Sequence, residues 1–242
     1  MCGSIIPALI GQLLPVFKNF FTGPGEPGPP VSYTHLRAHE TLENNLVKEF
    51  SGLPGIKDVS VSKQRIATYV FAHLQDDTNQ LSDEVKKHVD NLLANPPEGL
   101  LQVQANTGYA ANNSLSFTLP NASPVSTYKT LSHICSGKKV ESIRQRGLLA
   151  SKMSDVTNKF KDQSGKESFR ITTYKVVFAV ALKQQIKKVQ RFFNYEDPHV
   201  VTFNAGNAVF YTDPFFSQEA SSSCLTFSDI PASDIISIEP LK

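Results

Sequence analysis

The sequence predicts an α+β protein made of two units, and three observations carry that prediction. Apolar residues recur at helical spacing in two stretches, residues 42–50 and 82–95, with short alternating or continuous apolar runs around them. Charge is unevenly divided: residues 1–127 hold 8 Lys+Arg against 11 Asp+Glu, whereas residues 128–242 hold 16 against 11. Between the halves, residues 106–126 are rich in Asn, Ala, Ser, Thr and Pro, the composition of a connector, within which residues 114–119 can form a strand. At 242 residues, 40% hydrophobic and 19% charged, the chain is long enough for two modest cores.

The first 41 residues precede the predicted core. Residues 5–21 are mostly apolar, but Pro7, Pro15 and Lys18 interrupt them, so no transmembrane span is expected. Residues 22–30 alternate Pro and Gly; the prolines lack backbone donors and the glycines resist ordering, which predicts a linker. Residues 32–41, SYTHLRAHET, resemble the in-frame translation of a transposase-based sequencing adapter. That resemblance implies that His35 and His39, although spaced i and i+4 beside Glu40, are not a metal-binding helix.

Residues 42–105 read as a small α+β module. Leu42, Leu46, Val47 and Phe50 line one helix face, and Gly52 to Gly55 stops that helix. Val59 and Val61 mark a first strand; Ile66, Tyr69 and Phe71 mark a second. Ser82 caps a helix with Val85, Val89, Leu92 and Leu93 on one stripe, Pro96 and Pro97 end it, and residues 100–103 form a further strand. The order αββαβ resembles a ferredoxin-like βαββαβ unit lacking its first strand. No CxxC pair and no paired aromatics of the base-stacking kind are read in it, and His73 and His88 read as solvated or satisfied histidines. The module is expected to serve interaction or scaffolding.

The second unit, residues 127–242, opens with a short strand carrying His133, a turn at Ser136 and Gly137, and a basic helix anchored by Val140 and Ile143 before Gly147. Residues 148–169 are polar and lysine-rich and are expected to form a long loop. Residues 171–182 form the strongest predicted strand, followed by a helix over 183–193 with Lys183, Lys187 and Arg191 on one face and Ile186, Val189 and Phe193 on the other. A strand over 200–203, a hairpin turn at 204–207 and a return strand over 208–211 come next, then strands over 224–227 and 235–238. Residues 128–191 carry 15 basic and 4 acidic side chains, residues 192–242 carry 1 and 7; either the two stretches neutralise each other or the basic one faces an anionic partner.

Three scattered cysteines, Cys2, Cys135 and Cys224, give neither a disulfide framework nor a zinc pattern, which predicts a reducing setting, cytoplasmic or that of a delivered effector, and no bound metal. His133, Cys135, His199 and Cys224 match no zinc spacing, and the chain contains no P-loop, GxGxxG or GxSxG motif.

Leu131-Ser132-His133 before the helix that runs into Gly147-Leu148-Leu149, the run from Ala208 to Pro214, and Ile230 to Ile236 together resemble the ADP-ribosyltransferase superfamily in its toxin-like and DNA-modifying branches. The resemblance implies a mixed α+β ADP-ribosyltransferase-like domain with NAD as substrate. It implies that His133 binds the nicotinamide-side ribose, that Tyr211 stacks on the nicotinamide and that Arg144 serves the pyrophosphate. It further implies a late glutamate to stabilise the oxocarbenium-like transition state, and Glu219, then Glu239, are the candidates. The strand start where such families commonly place that acid instead reads Ser221-Ser222-Ser223-Cys224.

Two functions follow. One is NAD-dependent ADP-ribosyl transfer to a nucleic acid or protein. The other is a non-catalytic binding or adaptor protein, of phage, viral or effector type. Lys138, Lys139, Arg144, Lys183, Lys187 and Arg191 are the expected contacts, to a nucleic-acid target in the first case and to an anionic partner in the second. A cleft where His133, Tyr211 and a carboxylate converge separates the first from the second.

Overall fold

The computed structural model describes residues 32–108, 113–121, 128–152, 158–161, 166–172, 175–193, 195–217 and 220–242. The expected N-terminal apolar segment and Pro/Gly linker lie outside them. Among the described residues the protein is mixed α+β, with two antiparallel sheets and four α-helices.

The chain enters through helix α1 (Ser32–Phe50), so the adapter-like residues 32–41 are helical and continuous with the expected helix. Leu42, Leu46 and Phe50 bury one side of it. Strands β1 (Ile56–Lys63) and β2 (Ala67–Leu74) form a hairpin, and helix α2 (Asp83–Ala94) follows. The hydroxyl of Ser82 accepts from Val85 N at 3.3 Å, satisfying a donor that the first helical turn leaves bare. Strands β3 (Gln102–Asn106) and β4 (Ser114–Pro120) complete the run. One face of this sheet packs Val70, Ala72, Leu74, Val103, Leu115 and Phe117 under the two helices. The ring of Phe50 lies 4.7 Å from that of Phe117.

The strand order is β1-β2-β4-β3-β8-β7, where β7 is Asn158–Lys161 and β8 is Glu167–Thr172. The strand expected as possible over 114–119 is β4, which pairs with both β2 and β3 inside the sheet, so the connector reading of 106–126 covers only part of that stretch. One further expectation changes here. Residues 148–169 are not a loop throughout, because β7 and β8 extend the same sheet beyond β3. Buried Phe169 and partly buried Ile171 tie β8 to the first core. The first sheet thus draws strands from both halves of the sequence.

The second sheet has the order β11-β12-β9-β5-β10-β13, with β6 (Ser151–Lys152) paired to β9 off this path. Its strands are β5 (Thr130–Ser136), β9 (Lys175–Val180), β10 (Pro198–Asn204), β11 (Tyr211–Thr212), β12 (Ser223–Thr226) and β13 (Ile235–Pro240). Helix α3 (Val140–Arg146) covers one face through Ile143, with Leu131, Cys135, Val177, Ala179, Val201 and Phe203 beneath. Helix α4 (Ile186–Gln190) covers the other through Ile186 and Val189, against Ile134, Phe178, Val180 and Val200.

The predicted single strand over 171–182 is two strands, β8 ending at Thr172 in the first sheet and β9 starting at Lys175 in the second. The predicted helix over 183–193 is a 3-10 turn, Lys183–Gln185, followed by the short α4. The predicted hairpin at 204–207 turns at Gly206 (φ +57°), but its return strand does not pair with β10. Both edges of β10 are already taken by β5 and β13, so β11 pairs with β12 instead. The two sheets meet where Leu101 packs with Val176, Tyr211 and Leu225.

Candidate functional site

Register fixes which face each expected site residue occupies, because side chains of cross-strand partners share a face and neighbours in one strand alternate. His133 is opposite Val201, and its companions Leu131 and Cys135 lie in the core under α3. His133 is therefore on the α3 face. Tyr211 is opposite Leu225, which is opposite Phe178, a residue of the core under α4. Tyr211 is therefore on the other face, three strands away. Glu239 is opposite Val200, also on the α4 side, at the edge of the sheet remote from β11.

The local chemistry of each residue agrees with that division. Strands β5 and β9 pair at one position, Ser132 opposite Val180, and the half-buried His133 reaches across with Nδ1 2.7 Å from Phe178 O. A carbonyl can only accept, so Nδ1 carries the proton and Nε2 is the bare nitrogen of a neutral ring. Burial holds the imidazole pKa below its ordinary value, and the bond to Phe178 opposes this only in part. Tyr211 is 1% exposed, its phenol pushed up to about 12 by burial and secondarily by Glu98. Glu239 is exposed and accepts from Lys183 Nζ at 2.9 Å, and that hydrogen bond and charge hold its carboxyl below the usual range.

Arg144 is exposed on α3, and Glu219 lies outside the described residues. The described residues therefore do not form one wall for a dinucleotide. A nicotinamide on Tyr211 and a ribose on His133 would need to lie on opposite sides of a sheet, and Tyr211 offers almost no accessible surface.

The basic residues divide in the same way. Lys138 and Lys139 precede α3, with Lys138 Nζ 3.9 Å from Glu196, and Arg144 is on that helix. Lys183 and Lys187 belong to the α4 side, and Arg191 stacks its guanidinium over Phe192, 4.9 Å from the ring centre. The six do not make a single patch.

Asp213, which the sequence offers only as part of a turn, is the one buried carboxylate among the described residues. Asp213 is 1% exposed; its carboxylate accepts from Phe215 N and from Ser223 Oγ, each at 2.8 Å. Burial raises its pKa to about 6 despite those bonds. Ser223 begins β12, and its hydroxyl meets the carboxylate of the residue that follows β11. The signal in the sequence is Asp213-Pro214, which reads as an ordinary turn. Cys135 and Cys224 are buried thiols pushed up to about 11 and about 12, chiefly by burial, and stay protonated at neutral pH. Among the described residues no three His, Cys, Asp or Glu side chains group as metal ligands would.

An accessible concavity among the described residues lies elsewhere. A groove of about 690 Å³ runs between α4 and β13, lined by Lys183, Lys187, Glu239, Leu241 and Lys242 over an apolar floor of Ile186 and Val200. Three lysines and one glutamate line it, Lys183 being paired with Glu239 at 2.9 Å. Its volume lies in the range of small-ligand sites. No family model, curated protein or solved structure matches the chain.

Proposed function

We propose that the chain is a non-catalytic binding protein whose second unit has an ADP-ribosyltransferase-like build and holds a phosphate-bearing partner in the groove between α4 and β13. The observation that carries this reading is the lysine-lined groove on one face, with His133 committed to a backbone carbonyl on the other. The transferase-like build is supported by the way the resembling segments meet. Leu148 bridges Ile230, and a Cβ at Gly147 would lie 1.9 Å from Ile230 O, so the segments around His133 and Ile230 are packed as one piece. The first unit fits a ferredoxin-like sheet whose central strand, β4, arrives last in sequence instead of first.

Salt dependence tests the reading. Fluorescence anisotropy with labelled oligothymidylate, and competition by pyrophosphate, should show affinity falling between roughly 50 and 200 mM salt. Lys187→Ala and Lys242→Ala should each weaken binding and reduce the salt slope by about one. Full-length protein incubated with labelled NAD should release no nicotinamide. Release that disappears in His133→Ala would replace this reading with ADP-ribosyl transfer.

A further inference from the structure

The first sheet has a face that neither helix covers. Leu42, Leu46, Phe50, Val85 and Val89 all pack on the side of Val70, Ala72 and Leu74. The alternate residues of β2, Tyr69, Phe71 and His73, point the other way and remain partly exposed. Their rings form one strip: the Tyr69 and Phe71 centroids are 6.0 Å apart with planes 22° from parallel, and Phe71 and His73 are 6.0 Å apart at 28°. Ser60 Oγ lies 2.9 Å from His73 Nε2 and steadies the end of the strip. Tyr69 and Phe71 share this face because they are two apart in one strand and the side-chain period of a strand is two.

Neutral hydrogen-bonding groups flank the strip. Ser62 and Ser60 of β1 are opposite Tyr69 and Phe71 on one side, and Ser116 of β4 is opposite Phe71 on the other, with Gln104 of β3 beyond it. Among the register-paired strand residues on this face the charges are Asp58, opposite His73, and Arg170, opposite Gln104, which are of opposite sign, while Lys57 at the bulge beside Asp58 is paired with Asp76 at 3.5 Å. A polyanion gains its affinity from clustered cations and finds no such cluster here. A pyranose chain has the matching chemistry: apolar C–H faces that lie on aromatic rings, and equatorial hydroxyls that exchange hydrogen bonds with hydroxyl and amide side chains.

We propose that the open face of the first sheet binds a neutral glycan chain, with Tyr69, Phe71 and His73 as the stacking strip. The site is separate from the lysine groove and does not depend on it.

Native gel electrophoresis of the whole protein through gels containing hydroxyethylcellulose, galactomannan or dextran tests this. Retardation is expected in at least one of them. Phe71→Thr, which keeps a strand-forming residue, should weaken it about tenfold, the loss of one stacking contact. Phe71→Tyr should retain it, and Tyr69→Thr should repeat the loss if Phe71→Thr does not fold. No retardation in any polysaccharide overturns the proposal, as does retardation indifferent to Phe71→Thr and Tyr69→Thr. Oligothymidylate binding that is lost in Phe71→Thr but kept in Lys187→Ala would instead assign the strip to single-stranded nucleic acid.

Discussion

His133 and Asp213 respond to acid in opposite directions. The folded His133 has a pKa below its ordinary 6.5, so the unfolded chain binds the proton more readily and stability falls as pH drops through that value. Asp213 has its pKa raised from 3.8 to about 6, so the folded chain binds the proton more readily and stability rises as pH falls from about 6 toward 3.8. Denaturation midpoints measured from pH 7.5 to 4 in two variants should separate them. His133→Gln, whose amide can still donate to Phe178 O, should lose the acid-induced decline. Asp213→Asn should gain up to about 3 kcal/mol at pH 7.5 and lose the stabilisation below pH 6. A wild-type pH profile unchanged by both substitutions would show that neither ring nor carboxyl is as desolvated as the contacts indicate.

At the scale of elements, the turn that closes α3 is the most constrained joint in the second unit. Gly147 has φ +79° and ψ −165°, a region open essentially to glycine, and its Cα faces Ile230 O at a distance that excludes a Cβ. Gly147→Ala should therefore cost about 2 to 5 kcal/mol in thermal or urea denaturation. Gly52→Ala, with φ +82° but open space around it, should cost about 1 kcal/mol. Equal costs at the two positions would argue against the contact with Ile230.

Elements with a local signature were legible in the sequence. The Ser82 cap and the Val85–Val89 stripe identify α2 without tertiary information, and Leu42, Leu46 and Phe50 identify the buried side of α1. Strands β7 and β8 were not legible, because they extend a sheet outward and carry lysine, arginine and glutamate as outer strands do. Their alternation therefore has little contrast against a polar background. The candidate site was less legible still. His133 is where the motif put it, on a strand before a turn and a helix, yet its face relative to Tyr211 depends on pairings through β9 and β12 that no local pattern encodes.

For the whole molecule, the sharing of strands between sequence halves predicts cooperative unfolding. A fragment of residues 32–127 would leave β3 without β8 on its flank and remove Phe169 from the first core. It should aggregate or show a reduced denaturant slope, whereas the full chain should melt in one calorimetric transition. Two well-separated transitions, or a monomeric fragment with full cooperativity, would show that the first sheet stands without β7 and β8.

The excursion of β7 and β8 into the first sheet, between β6 and β9 of the second, also bears on inheritance. Recombination at a single breakpoint near residue 127 would separate β3 from its neighbour β8 and give two incomplete products. A lineage exchanging its glycan-facing sheet for another must transfer two stretches of gene at once, and for that reason this pair of sheets should travel together.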